Sequence, residues 1–413
     1  MRMGWRGWEL APAAVAIFLA AGLGTTALLF PGALDARLAY LGGAEAWRSG
    51  HPENLFTWNQ VPFLGLVMAL ATRVASVDAY ATALNLFNIA VAVTLIAAVW
   101  ARLRGRMDRR LWWATLILAI AFAPLSSTLW WKQLNLVVLA LAIAGWELLR
   151  RRREIGGASL IALSLSIKPL FLLLPLALLL RKDGRRPGFL VLGWTAFFQA
   201  VALAFLAWRA RDLAVLSPLQ ALVNFTSKSD AENSACNVQN FSPTSMLCRL
   251  VHGRELWPLQ RLAVLAFVAA LVFLAWRALG DRPVRSWHVL AFAAVLSPLL
   301  SPISWSHYSL LLAPLLLLVA VELTAGRDAA PTWILLGLAY LLAEMSWTPV
   351  GTIADVATRL GLLAPTSLRV YGILLTGASF AQYFLLVAAI RFFDRPERDR
   401  GNPPQALLVE NPS

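Results

Sequence analysis

The sequence predicts an all-α polytopic membrane protein, a bundle of about eleven to thirteen membrane segments. Three observations carry that reading. Hydrophobic residues make up 59% of the 413, and charged residues only 14%, against about 25% in ordinary soluble domains. Apolar runs recur that approach or exceed the roughly 20 residues a helix needs to cross a bilayer. The excess of 36 Lys+Arg over 22 Asp+Glu, a net charge of +14, falls in short clusters between those runs. Composition excludes disordered, fibrous and disulfide-stapled classes, and the length of the apolar runs excludes a soluble nucleic-acid binder.

In chain order, the candidate spans are 10–30, 79–101, 111–128, 134–149, 188–208, 258–276, 286–300, 308–323, 332–347 and 368–390. Arg2 and Arg6 precede the first, as in a signal peptide. Phe30-Pro31-Gly32 after it offers no small-residue cleavage site, so a retained helix is expected. Five basic clusters then assign sides: Arg102 to Arg110, Arg150 to Arg153, Arg181 to Arg186, Arg277 to Arg285, and Arg391 to Arg400. The positive-inside rule places all five in the cytoplasm. This leaves 31–59, 129–134, 209–257, 301–307 and 348–367 outside, none with a comparable cluster. Residues 1–393 read as one integral-membrane domain and 394–413 as a disordered cytoplasmic tail.

Two stretches need more than a simple crossing. Residues 155–180 lie between clusters that both belong inside, and Lys168-Pro169 interrupts the run. A pair of short helices that dips in and returns satisfies both clusters, with proline as the break. Residues 60–76 are apolar, but a full crossing there would put the Arg102–Arg110 loop outside, so a partial or re-entrant segment is expected. The loop at 209–257 is rich in Asn, Ser and Asp and holds the only cysteines, Cys236 and Cys248. On the oxidising side of a membrane these form either a disulfide or two separate thiols; a zinc site would need further ligands.

Ionisable groups within or beside apolar segments are costly and mark function by default. Here five pieces of chain bring polar groups to the outer interface. They are Asp35; Lys132, Gln133 and Asn135; Lys168; Asn240, Ser242 and Ser245; and Trp305, His307 and Tyr308. Structural roles compete. Asp35 also suits the N-cap of an interfacial helix over 36–49, where Tyr40 and Trp47 fit the headgroup layer. Lys132 also suits snorkelling, and His307 an aromatic belt. Lys168, beside Pro169 and flanked by apolar residues, has the least room for such a reading. Glu147 and Glu322 read as structural, and Glu344 as a weaker site candidate.

These motifs resemble the polyprenyl-phosphate-sugar-dependent glycosyltransferases of the GT-C class. Glycosyltransferase family 87, which includes mannosyltransferases and an arabinofuranosyltransferase, is the best match. The matching pieces are Asp35 with Tyr40, Gln133-x-Asn135, Ile167-Lys168-Pro169, Asn240 to Leu250, and Ser301 to His307. The chain departs from the family pattern at Lys132, where glycine usually precedes the Gln. It also departs at Leu55 to Pro62, where Tyr-Pro-Pro is usual.

The resemblance implies a polyprenyl-phosphate-linked sugar donor, mannose first, and a lipid- or glycan-linked acceptor. It also implies a bacterial inner membrane with the site on the periplasmic side. The residues fit such chemistry. An inverting transfer needs a carboxylate base for the acceptor hydroxyl, and Asp35 is the well-placed candidate. It needs positive charge for the leaving phosphate, from Lys168 and His307, with Lys132 beside them. Tyr40, Gln133, Asn135, Asn240, Ser242, Trp305 and Tyr308 are candidate substrate ligands. A single carboxylate provides no pair for a divalent cation, so neither metal nor cofactor is expected. The competing class is a transporter such as a lipid-linked sugar flippase, which would show internal repeats and midplane ions; neither is evident. A membrane acyltransferase would want a His buried among helices.

Overall fold

The computed structural model describes residues 9–29, 34–51, 61–103, 107–213, 242, 243, 245, 247, 257–280, 282–300, 306–324, 330–345 and 377–393. Cys236, Cys248, Asn240 and Trp305 lie outside the described residues, as does the tail. The regular elements described are all helical, as the sequence predicts. They are α1 (Leu10–Leu29), α2 (Leu34–Ser49), α3 (Pro62–Val74), α4 (Val77–Leu103), α5 (Arg109–Ala121), α6 (Ala123–Trp130), α7 (Asn135–Arg150), α8 (Glu154–Ile167) and α9 (Leu173–Leu179). There follow α10 (Arg185–Ala210), α11 (Trp257–Leu279), α12 (Trp287–Leu300), α13 (Ala313–Leu323), α14 (Ala330–Glu344) and α15 (Ala381–Phe393).

Among the described residues four helical stretches are long and apolar enough to cross a membrane: Val77–Leu103, Arg109–Trp130, Lys182–Ala210 and Leu262–Leu279. Shorter apolar helices pack around them. Phe18, Phe189, Trp208 and Phe273 are each more than 60% exposed. In water each would forgo roughly 1.5–3 kcal/mol of burial, whereas in a bilayer lipid covers them. The central core runs through α4 and α6 to α15, with Trp146, Phe171 and Phe292 fully buried.

Proline modifies two of the expected spans. The run at 111–128 is broken at Phe122, because Pro124 in the first turn of α6 cannot continue the α5 ladder. Ahead of α13, residues Ser306–Leu312 form a 3-10 segment, and Pro314 opens the α-helix that follows.

The stretch 155–180 returns to the side from which it starts. Glu154, at the start of α8, pairs with Arg285 (2.6 Å) and with Arg186 in the first turn of α10 (3.2 Å), so the two ends of the excursion meet. Lys168-Pro169 forms the tip. At 14 residues, α8 is about 21 Å long, short of a roughly 30 Å hydrocarbon core. It packs on α7 at a close crossing: a Cβ on Gly145 would stand 2.7 Å from the Gly157 carbonyl oxygen, and one on Gly157 equally close to that of Gly145.

Helix α3 is likewise partial. The Phe63 amide donates to Gln199 Oε1 (3.2 Å), partway along α10, and Gln199 Nε2 donates to the Ser166 carbonyl near the excursion's tip (3.4 Å). From that depth α3 climbs to Ala75, whose carbonyl accepts the Tyr40 hydroxyl (2.7 Å). Helix α2 then lies across the ends of three others. Ala36 packs with Ala81, Leu84 and Leu134, and Ala46 with Ala69 and Leu206. At Gly43 an added Cβ would meet the Met68 backbone at 2.4 Å.

Candidate functional site

The site forms where the tip between α8 and α9 meets the turn between α6 and α7. Lys168 caps α8 in an extended conformation (φ −153°, ψ 121°), the region a following proline imposes. Its side chain can therefore leave the helix axis. Lys168 Nζ donates to Gln133 Oε1 (2.8 Å) and Asn135 Oδ1 (3.0 Å), and lies 4.6 Å from the ring centroid of Tyr308. Four residues singled out from the sequence thus meet at one point. Two amide oxygens and an aromatic face hold the ammonium.

The turn that presents Gln133 and Asn135 is itself fixed. The Gln133 amide donates to the Thr128 carbonyl (3.0 Å), and Asn88 Nδ2 on α4 donates to the Gln133 carbonyl (2.9 Å). Asn135, fully buried, opens α7. Lys132 turns the chain with φ 51°, the left-handed region that glycine adopts at little cost. The departure from the family pattern at this position therefore falls on the residue where glycine fits the backbone best. Lys132 is also buried, and burial, followed by the charge of Arg37, holds its amine below the ordinary lysine range.

Asp35 lies in the first turn of α2, one residue before Ala36, whose cluster with Ala81 and Leu84 is covered by Leu134, between Gln133 and Asn135. The backbone of Asp35 is thus beside the turn; its carboxylate is outside the described residues. Arg37 pairs with Asp78 at 3.0 Å on the surface. Tyr40 is turned to the α3–α4 junction by its bond to Ala75. His307 lies in the 3-10 segment directly before Tyr308, its side chain outside the described residues. Ser242 and Ser245 are fully buried, the Ser245 amide donating to Ser242 Oγ (3.2 Å). Glu344 accepts from the Ala123 amide at the α5–α6 break (3.2 Å).

Three buried polar groups near this site escape the sequence reading. Asn88 Oδ1, Ser164 Oγ and Ser166 Oγ have no hydrogen-bond partner among the described residues. Their signal was present as lone polar residues in apolar helices, but neutral groups stand out less than charges. Among the described residues, no three His, Cys, Asp or Glu side chains are grouped to hold a metal ion.

The sequence profile of glycosyltransferase family 87 matches residues 58–302, more than half of the chain. A polyprenol-phosphate-mannose-dependent alpha-(1-2)-phosphatidylinositol mannoside mannosyltransferase of Mycobacterium tuberculosis is 28% identical over 303 residues. That match covers 71% of this chain and 65% of the relative, just under two thirds of its length. The protein of the same description from Mycolicibacterium smegmatis is 28% identical over 340 residues, covering 77% of this chain and 72% of the relative. No solved structure matches.

Proposed function

The chain belongs to glycosyltransferase family 87, and on that footing we propose that it transfers mannose from a polyprenyl-phosphate donor to a phosphatidylinositol-mannoside-like acceptor. The names of the two relatives support the donor and the acceptor. The observation that carries the reading is the half-buried Lys168 ammonium, which donates to Gln133 and Asn135 and lies over the Tyr308 ring. Preorganised positive charge away from water is what a departing phosphate needs.

In this reading the acceptor hydroxyl oxygen attacks the anomeric carbon while its proton passes to the Asp35 carboxylate. The bond from that carbon to the phosphate oxygen breaks on the opposite face, and polyprenyl phosphate leaves with the electron pair. Lys168 stabilises the new charge, with His307 and Lys132 beside it. Gln133 and Asn135 set the ammonium's position and offer amides to sugar hydroxyls, alongside Asn240, Ser242, Trp305, Tyr308 and Tyr40. The basic clusters belong in the cytoplasm, so the site faces the periplasmic side of the inner membrane. Cys236 and Cys248 form a disulfide in the loop above it.

Asp35→Asn tests the reading. It preserves shape and removes the base, so release of polyprenyl phosphate from purified protein should fall about 10³-fold, with donor binding and expression retained. Near-normal turnover removes Asp35 from the role. Donor that crosses intact to the other leaflet replaces transfer with flipping.

A further inference from the structure

A second cationic feature lies at the other end of α2, and the proposed transfer makes no use of it. Arg48 and Arg73 are far in sequence from each other and from Arg209 and Arg211, so no linear cluster announces the group. The crossing of α2 over α3 and α10 brings their segments together. That crossing is tight: at Gly50, which has φ +78°, a Cβ would stand 2.4 Å from the Ala210 nitrogen.

Trp47 is the shared contact. The guanidinium carbons of Arg73 and Arg209 lie 5.1 and 5.2 Å from its ring centroid, and Arg209 Nε donates to the Trp47 carbonyl (2.5 Å). Both cations therefore sit within about one ring contact of the same indole. Among the described residues neither has a carboxylate within ion-pair reach. Glu45, on the same helix, is held by Ser49 Oγ (2.7 Å) and by Arg48, contacts that lower its carboxyl from the ordinary range. Asp212, the other carboxylate nearby in sequence, is exposed.

Two guanidiniums on one indole with no described carboxylate beside them leave their donors to water or to an outside anion. The position also runs against the charge bias, since these arginines lie at the end of α10 remote from the Arg186–Glu154–Arg285 network. At headgroup depth the abundant anion is a lipid phosphate, and the planar fork of arginine matches it.

We propose that Arg73 and Arg209, joined at Trp47, form a phosphodiester subsite for a lipid headgroup, and that the acceptor's own phosphate occupies it. The assignment of the occupant rests on the transfer reading above. Trp47 is twelve residues along α2 from Asp35, about 18 Å at helical rise. An acceptor anchored at Trp47 reaches the base only when several sugar units separate its phosphate from its accepting hydroxyl. The helix thus selects glycolipids with an extended glycan over those with a short headgroup.

The test uses the full chain and two readouts. Native mass spectrometry compares retention of phosphatidylinositol with that of phosphate-free diacylglycerol. Kinetics follow transfer from polyprenyl-phosphate mannose to phosphatidylinositol mannosides of increasing sugar number. Arg73→Gln/Arg209→Gln should lose phosphatidylinositol retention about tenfold and raise acceptor KM by a similar factor. Donor KM and kcat should hold, and Arg73→Lys/Arg209→Lys should recover part of both losses. For the wild type, acceptors with one sugar should transfer more poorly than extended ones. Unchanged retention in the Gln variant overturns the subsite. Lost retention with unchanged acceptor KM assigns it to bulk anionic lipid and overturns the acceptor as occupant. If the wild type transfers no sugar, the transfer reading fails, and retention alone decides the subsite.

Discussion

The two ends of the bundle hold their cations differently. At the arginine-rich end carboxylates meet most of them, while Arg181 and Arg282 rest on backbone carbonyls and on the Trp276 and Phe393 rings. Glu154 takes Arg285 and Arg186, Glu147 takes Arg150 and Arg151, His288 Nε2 stands 2.6 Å from Glu322, and buried Glu9 takes Arg109 and the Trp113 indole. At the opposite end Lys168 contacts two amides and Tyr308, and exposed Arg73 and half-buried Arg209 contact Trp47. The pairs of Arg37 with Asp78 and Arg48 with Glu45 at that end have mostly exposed arginines. Charge at the first end fastens helices. At the second the contacts described for Lys168, Arg73 and Arg209 are amide oxygens, a backbone carbonyl and aromatic rings.

That contrast can be broken in three places. Lys168→Met should act on chemistry, lowering release of polyprenyl phosphate on the order of 10²–10³-fold with a small change in the unfolding midpoint. An active but unstable variant would make Lys168 another fastener. Glu154→Gln should do the reverse. It leaves Arg285 without its half-buried carboxylate and costs roughly 1.5–3 kcal/mol, seen as a lower midpoint in detergent with turnover maintained.

Lys132→Gly should give the smallest effect, and a stabilising one. It relieves a left-handed backbone worth about 1 kcal/mol and removes a buried charge. Because the fold lowers the Lys132 pKa, the charged amine destabilises it most below the folded pKa. The penalty fades as pH rises through that value towards the ordinary lysine range. The gain in midpoint should accordingly shrink as pH is raised towards the ordinary lysine range, above which only the backbone part remains.

Much of this was legible because charge inside apolar sequence is conspicuous. Lys168-Pro169 between two basic clusters implied the excursion, and Gln133 and Asn135 were visible at the mouth of α7. The breaks at Phe122 and Leu312 were harder to see: the proline that follows each interrupts one backbone ladder without changing hydropathy. The cluster at Trp47 had no linear trace, since Arg73 and Arg209 meet only through the α2 crossing. His288 went unremarked because its partner Glu322 is 34 residues away in sequence, and only packing of α12 on α13 joins them.

The return of the 155–180 stretch to its starting side also bears on how the protein is made. A 14-residue helix is too short to be threaded as an ordinary span, and its leading end carries a lysine that lipid rejects. The excursion can seat only once α7 offers Gln133 and Asn135 and α10 stands behind it with Gln199. The polar centre is thus a late product of biogenesis. Chains caught before that step would have their long helices inserted while Lys168 still waits at the arginine-rich surface, and a membrane-impermeant amine reagent applied from that side would label it.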